Sequence, residues 1–279
     1  MSETPDFARL WNPGIAGLEL FSARLFRLSF DKHFHEGYTI GLNEGGLGGF
    51  TYRGAAHQAY PTSFNLINPG EVHTGYVGSE SGWTFRNLYI SLPLLERMLV
   101  QMEWPGRGLP YFRQPVVWDQ PLRTAFYQVF QALSAPTSQL EQQSLLLAFL
   151  SQLLARQAQC GCPLVVKSEQ GAGAITKTRA YLEAHYTENL SIEALAHQVG
   201  LSPYYLIRSF RQQVGLPPHS YQRHWQLLQA KRDLRTAKPI SEIALDHGFY
   251  DQSHLTRYFK RVFGVTPGQY RQGNSVQDG

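Results

Sequence analysis

The sequence predicts an α+β chain: a small β-barrel or sandwich followed by helices, and then an all-α domain in which one helix-turn-helix unit occurs twice around a linker helix. Three observations carry this. Short apolar and aromatic runs punctuated by Gly, Pro and Asn fill residues 1–118, the signature of many short strands. From Pro121 onward the apolar residues recur at helical spacing instead. Near the end, the pattern of residues 195–221 returns at 243–270, as an internal duplication does.

Composition bounds the classes. With 279 residues, 43% hydrophobic and 16% charged, the chain is globular and long enough for two cores. The opening MSETPDFARL holds no apolar run, and the longest such stretch, Leu145 to Leu150, is far too short to span a bilayer. No signal peptide and no membrane segment are expected. Cys160 and Cys162, the only cysteines, lie one residue apart. That spacing rarely closes a disulfide and does not by itself make a metal site. These features point to a cytoplasmic location. Charge is asymmetric: residues 173–279 hold 13 Lys and Arg against 8 Asp and Glu, whereas residues 1–172 hold 12 against 13. An excess of +5 beside one of −1 fits an anion-binding domain joined to a neutral one. The expected organisation is 1–159, the barrel and its helices; 160–172, a linker; and 173–279, the duplicated domain.

In the first domain, Leu18 to Phe30 is an extended run. Tyr38 to Leu42, Gly49 to Tyr52, Phe64 to Asn68 and Trp83 to Ser91 are shorter ones. Between them stand Gly45-Gly46, Gly48-Gly49, Arg53-Gly54, Asn68-Pro69-Gly70 and Ser81-Gly82, residues that supply turn conformations. Short strands with such turns build a sandwich or small barrel. Three histidines stand out. His33 and His35 flank Phe34 in HFHEGY, and on a strand the period of two sends both to one face. His73 follows the Asn68-Pro69-Gly70 turn in INPGEVH. The arrangement resembles the cupin barrel, which carries His-x-His in its first motif and a Pro-Gly turn before a His in its second. In metal-binding cupins these histidines and a glutamate hold a divalent ion. Here the candidate glutamates are Glu36, beside His35, and Glu44, beyond the usual spacing, and Val77 stands where the motif has asparagine. No metal and no cofactor are therefore expected. Two readings stay open: an effector pocket lined by His33, His35, His73 and the aromatics Tyr38 or Trp83, or a purely structural role. A small barrel can hold one small molecule.

Pro121 opens a helix with Leu122, Ala125, Phe126, Val129, Phe130 and Leu133 at helical spacing, and Ser134 to Ser138 interrupts it. The next helix carries Leu140, Ser144, Leu147 and Leu154 at heptad-like spacing, with Leu145, Leu146, Phe149, Leu150 and Leu153 as further apolar positions. A helix this apolar covers the barrel with one side and offers a seam to a partner subunit with the other. Packing within the chain alone is the simpler alternative. Cys160 to Ala174 lacks periodicity and reads as a linker.

The duplicated domain begins with a helix from Ile175 through Tyr181, Leu182 and His185. Ser191 caps a short helix whose apolar face is Ile192, Leu195 and Ala196, and Gly200 ends it. Ser202 caps the next helix, with Pro203 where a missing N–H costs nothing. Leu206 and Phe210 form its buried side, and Gly215, Pro218 and Tyr221 follow. Ile243, Ala244 and Gly248 repeat Leu195, Ala196 and Gly200 at an offset of 48. Leu255, Phe259, Gly264, Pro267 and Tyr270 repeat Leu206, Phe210, Gly215, Pro218 and Tyr221 at an offset of 49. A constant offset broken once inside a turn describes a duplicated helix-turn-helix, whose second helix enters the major groove of DNA. Ser220 to Arg235 reads as one helix between the copies, spanning about 24 Å, so that two groove segments about 34 Å apart come within reach.

Gly248-Phe249, Asp251-Gln252-Ser253-His254, Arg257-Tyr258-Phe259-Lys260 and Gly264-Val265-Thr266-Pro267 resemble the AraC/XylS family of bacterial transcription regulators. The likeness covers Ile175 to Arg271, and HFHEGY and LINPGEVH look like that family's amino-terminal cupin-like effector domain. The resemblance implies a ligand-responsive regulator that is not an enzyme. Its partners would be double-stranded promoter DNA, a small-molecule effector, a second copy of the chain and RNA polymerase. By position, the first groove-reading helix presents Tyr204, Ile207, Arg208 and Arg211. The second presents Gln252, Ser253, Thr256, Arg257 and Lys260. Arg208 and Arg257 are the base-reading candidates, since Arg grips guanine bidentately. Arg211, Lys260 and Arg261 suit phosphate contacts. Leu255 stands where Phe is common, and Gln226 where Arg is common, which implies the loss of a buried ionic contact. Two other classes compete: a cupin metalloenzyme built on His33, His35 and His73, and a protein–protein module using the helical repeat.

Overall fold

The computed structural model describes residues 5–106, 108–135, 137–159 and 172–274. The chain divides into two compact units, Met1–Pro163 and Leu164–Gly279. The expected linker, with Cys160 and Cys162, lies outside the described residues except for Ala172.

The first unit contains the strands β1 (Phe7–Trp11), β2 (Leu18–Leu25), β3 (Phe30–His33), β4 (Tyr38–Gly46), β5 (Gly48–Tyr52), β6 (Ala55–Ala59), β7 (Ser63–Ile67), β8 (His73–Val77) and β9 (Trp83–Ile90). Helix α1 (Leu92–Gln101), β10 (Tyr111–Phe112), β11 (Val116–Trp118), α2 (Gln120–Ser134), α3 (Gln139–Gln157) and β12 (Ala158–Gln159) follow. One sheet runs β1-β2-β9-β4-β7-β11 and a second runs β3-β8-β5-β6, while β10 pairs with β12. The two larger sheets face each other: Phe21 and Phe85 of the first meet Phe30 of the second at ring distances of 6.2 and 6.4 Å.

Alternation along the strands sorts residues between two cores. Leu18, Leu20, Ile40, Leu42, Phe64, Leu66, Leu88 and Ile90 pack with the helices against the outside of the six-stranded sheet. Phe21, Asn43, Asn65 and Phe85 point the other way, into the space between the sheets.

The expected single run Leu18 to Phe30 is broken. The Asp6 carboxylate accepts the N–H groups of Phe26, Arg27 and Leu28, which takes that segment out of the ladder before β3 begins. Helix α1, absent from the expectation, is capped by Ser91, whose Oγ accepts the Leu94 N–H, with Pro in its first turn.

Helix α3 buries Leu146, Phe149, Leu150, Leu153 and Leu154. This corrects the expected seam of Leu140, Ser144, Leu147 and Leu154. A straight helix drifts about 20° per heptad, so two heptads carry Leu154 from the outer to the inner side. Leu140 remains 75% exposed and Leu147 is partly buried.

The second unit is all-α: α4 (Ala172–Ala184), α5 (Ile192–Gln198), α6 (Pro203–Val214), α7 (Pro218–Asp233), α8 (Ile240–Asp246), α9 (Gln252–Phe263) and α10 (Pro267–Asn274). The linker helix α7 has the expected 16 residues but starts two residues earlier, because Pro218 suits a first turn. The duplication is visible in three dimensions. Phe210 meets Tyr221 at 5.6 Å and Phe259 meets Tyr270 at 5.8 Å. Gly215 and Gly264 end α6 and α9 in left-handed conformations, at φ 87° and 75°. Among the described residues no helix is long and apolar enough to cross a membrane.

Candidate groove-reading helices and barrel site

Helix α6 is capped by Ser202, whose Oγ accepts the Tyr205 N–H at 3.3 Å. Leu206 and Phe210 are fully buried, so the opposite side faces solvent. Tyr204, Ile207, Arg208 and Arg211, all expected from the sequence, line one shallow concavity on that side together with Gln212. Tyr204 is 75% exposed, which is unusual for an aromatic side chain on a packed domain and suits contact with a partner surface.

Helix α9 is capped by Asp251, whose Oδ1 accepts the His254 N–H at 2.7 Å. Leu255, Phe259, Val262 and Phe263 are buried. Gln252, Ser253, Arg257, Lys260 and Arg261 are exposed, and Thr256 is half-buried. Partial burial, and then the nearby Arg223 and Arg257 guanidinium groups, hold the His254 imidazole below its ordinary value. Its Nδ1 accepts the Tyr250 N–H at 3.2 Å, which locks the entry to the helix. Arg223, on α7, was not singled out from the sequence. Its guanidinium lies 5.5 Å from the Phe249 ring and 5.4 Å from the Tyr258 ring, so it braces the turn and the flank of α9.

Gln226 replaces the implied ionic contact with a neutral one. It is buried on α7 and donates to the Tyr186 carbonyl at 2.7 Å. A Cβ on Gly248 would lie 2.7 Å from its Nε2, so the second turn rests directly on this amide.

In the first unit the structure brings His33, His35 and His73 together. Their ring centroids lie 4.8, 4.3 and 5.1 Å apart. His33 and His73 face each other across β3 and β8, and His35 lies just beyond β3. Three contacts hold the surrounding turn. The Gly70 N–H donates to the His35 carbonyl at 2.8 Å, tying the Asn68-Pro69-Gly70 turn to the His-x-His segment. Arg53 pairs with Glu71 at 2.8 Å, and Tyr52 also donates to that carboxylate. Burial lowers the His73 imidazole to about 4, against the smaller opposing pull of the Glu71 carbonyl and carboxylate, so the ring is neutral at pH 7. Neither candidate glutamate joins the group: Glu44 pairs with Arg86 at 3.2 Å and Glu36 is exposed.

Tyr38 departs from its expected place. It belongs to the core between the six-stranded sheet and the helices, packs on Phe112 at 5.7 Å, and donates to the Pro110 carbonyl. A strand residue faces one side only, and the alternation puts Tyr38 with Ile40 and Leu42 on the helix side. The aromatics beside the histidines are Tyr89, 4.7 Å from His35, and Phe30, 6.3 Å from His33, with Asn87 donating to the Tyr89 hydroxyl at 3.0 Å. The period-two pattern Phe85, Asn87, Tyr89 in β9 carried that signal. Trp83 lies in the same interior but stacks on Phe85 at 4.1 Å and donates to Asn43 at 2.9 Å. Asn43 in turn bonds Ser63 and Asn65, so the interior is lined by amides as well as rings.

Comparison with known proteins agrees with both units. Residues 15–150 match the AraC-like ligand binding domain, and residues 195–273 match a helix-turn-helix domain. The HTH-type transcriptional regulator YbfI of Bacillus subtilis (strain 168) is 28% identical over 241 residues, 85% of this chain and 86% of that one. The HTH-type transcriptional activator RhaS of Enterobacter sp. (strain 638) is 27% identical over 260 residues, 91% of each chain. Among solved structures, unsaturated fatty acid bound ToxT from Vibrio cholerae strain SCE256 superposes with a TM-score of 0.55 at 13% identity, covering 97% of each chain. At that identity the likeness is one of fold.

Proposed function

The chain belongs to the AraC family of transcriptional regulators, and from that premise we propose that it binds promoter DNA through α6 and α9 under the control of a small-molecule effector taken up by the barrel. The observation that carries this reading is the duplicated solvent face. Both helices bury an apolar side of equivalent residues and turn Arg208 and Arg211, or Arg257 and Lys260, outward. Arg208 and Arg257 are the base readers in this proposal, with Tyr204, Ile207, Gln252, Ser253 and Thr256 beside them. Arg211, Lys260 and Arg261 hold phosphates. The effector meets His33, His35, His73 and Tyr89, with Trp83 deeper in the same interior. The protein works in the cytoplasm as a homodimer that contacts RNA polymerase, and regulation rather than catalysis is its role.

The test is binding of the full chain to DNA selected from a random pool, followed by fluorescence anisotropy across a salt series. Phosphate contact by Arg211, Lys260 and Arg261 predicts a log–log slope of about −3 per chain. Binding that ignores salt would favour a protein–protein module instead. A thermal-shift screen of sugars, amino acids, aromatic acids and an unsaturated fatty acid, the class held by the ToxT structure, identifies the effector. A ligand at 100 times its Kd adds about 2.7 kcal/mol, enough to raise the melting temperature measurably.

A further inference from the structure

We propose that Tyr250, in the turn between α8 and α9, is a DNA contact: its phenolic hydroxyl donates a hydrogen bond to a backbone phosphate at the edge of the groove that α9 enters. The proposal rests on the reading of α9 as a groove reader and adds a residue that the repeat itself does not supply.

The two copies close their first helices in the same way. The Leu201 N–H donates to the Ala196 carbonyl at 3.0 Å, and the Phe249 N–H donates to the Ala244 carbonyl at 2.9 Å. They also open their second helices in the same way: the side chains of Ser202 and Asp251 accept the N–H three residues on, from Tyr205 and His254. Leu201 is followed directly by the cap Ser202, whereas one residue, Tyr250, stands between Phe249 and the cap Asp251. The change of offset from 48 to 49 is therefore this tyrosine, inserted into the second turn.

An inserted residue brings one more N–H and one more side chain to place. The extra N–H is bound by His254 Nδ1 at 3.2 Å, a ring that the first copy lacks, having Tyr205 there. The backbone is thus pinned beside the buried Phe249, and the side chain is left outside: Tyr250 is 85% exposed. Among the described residues its hydroxyl makes no hydrogen bond. An aromatic body with a polar tip, held in water by a fixed backbone, contributes nothing to the core and suits an interface. Helix α6 has a solvent-facing tyrosine of its own, Tyr204, but inside the helix, where α9 has Ser253.

Position decides the occupant. In a helix-turn-helix the first helix crosses the DNA backbone and the second lies in the major groove. The turn that joins them therefore passes over the groove edge, where the phosphates lie. Tyrosine hydroxyls bond phosphate oxygens in such interfaces, and a charged acceptor makes the stronger kind of hydrogen bond. The Asp251 carboxylate occupies the start of α9 itself and keeps a phosphate off the helix axis, which leaves the tyrosine to reach one beside it. Gln252, Ser253 and Arg257, exposed on α9, form the face proposed to read bases, so a phosphate held by Tyr250 is continuous with that face and fixes its register. The phenol is neutral and releases no counterion of its own, which separates this contact from those of Arg211, Lys260 and Arg261.

The experiment measures binding of the full chain, as wild type, Y250F and Y250A, to DNA selected from a random pool, by fluorescence anisotropy. Both variants keep the wild-type melting temperature. Y250F weakens binding about ten-fold, the worth of one hydrogen bond to a charged acceptor, for all sequences alike and with the salt slope unchanged. Y250A loses at least as much. Duplexes in which one phosphate at a time is replaced by a neutral methylphosphonate locate the contact: the wild type loses affinity at one phosphate beside the α9 part of the site, where Y250F loses markedly less. Three results overturn the proposal: Y250F binding as tightly as the wild type, which would leave the tyrosine to a protein partner; a loss confined to particular base pairs; or equal sensitivity of Y250F and wild type at every phosphate. A wild-type chain whose DNA binding ignores salt fails the regulator reading itself. A chain with the predicted salt dependence whose affinity is indifferent to Y250F loses this proposal alone.

Discussion

Arg257 extends from the exposed side of α9, its guanidinium 5.7 Å from the neighbouring Tyr258 ring, and its charge acts within the fold only as a minor influence on the His254 imidazole, after burial and Arg223. Replacing it with Ala should therefore leave the melting temperature unchanged and cost DNA binding about 1–3 kcal/mol, with selectivity relaxed at one base pair. Lys260→Ala should weaken binding to all sequences alike and lower the salt slope by about 1. A uniform loss for Arg257→Ala, read from the selected pool, would make that residue a phosphate contact instead. Asp119 is the opposite kind of residue, buried and structural. It caps α2 through the Leu122 N–H and pairs with Arg156 at 2.7 Å on α3. Burial raises its carboxyl, but Arg156, the Leu122 amide and Gln157 together outweigh this and hold it below the ordinary value. The unfolded chain then binds more protons than the native one at acid pH. Asp119 contributes stability above pH about 3.9, and loses it as pH falls through the depressed native value. Asp119→Asn should flatten that acid limb in urea melts. Asp119→Ala should in addition cost about 1–2 kcal/mol at pH 7 through the lost cap.

At the scale of the element, the duplicated unit makes paired predictions that a single motif could not. Phe210 and Phe259 fill equivalent positions, each wholly buried against a tyrosine, so Phe210→Ala and Phe259→Ala should cost similar amounts, about 3–5 kcal/mol. The two turns differ. Gly200 and Gly248 both adopt left-handed conformations, at φ 69° and 76°. A Cβ at Gly200 meets nothing within 4 Å, whereas one at Gly248 would lie 2.7 Å from Gln226 Nε2. Gly200→Ala should cost about 1 kcal/mol for the backbone alone. Gly248→Ala should cost about 1–3 kcal/mol and displace Gln226 from the Tyr186 carbonyl. Thermal melts of the pair decide whether the second turn is the more tightly packed. The helix repeat was legible because its signals are local: caps, glycine stops and buried positions at fixed offsets. The Gln226 contact was not, because it joins α7 to a carbonyl 40 residues earlier.

For the molecule as a whole, the proposed dimer draws on the outer side of α3, where Leu140 is 75% exposed and Leu147 partly buried. Light scattering of the full chain at micromolar concentration should give a dimer. Leu140→Asp combined with Leu147→Asp should give a monomer of unchanged far-UV circular dichroism. A wild-type monomer would remove α3 as the seam. The inner side of the same helix cannot serve, since Phe149 packs on Phe126 at 5.7 Å inside the first unit's core.

The amino-acid sequence by itself determined the class of this protein. Turn residues between short apolar runs specified a β-rich first domain, and a pattern repeated at offsets of 48 and 49 residues specified two equivalent helices, the proposed groove readers, with their exposed residues. These are properties of neighbours in the chain, and periodicity reports them. Tertiary structure alone decided the interior of the barrel. It sent Tyr38 to the helix side and brought Tyr89 to the histidines. It also set His33 and His73, far apart in sequence, opposite each other on β3 and β8. Which face of a strand looks inward, and which strand lies beside it, follows from sheet pairing over long sequence separations. Local pattern carries no record of that pairing.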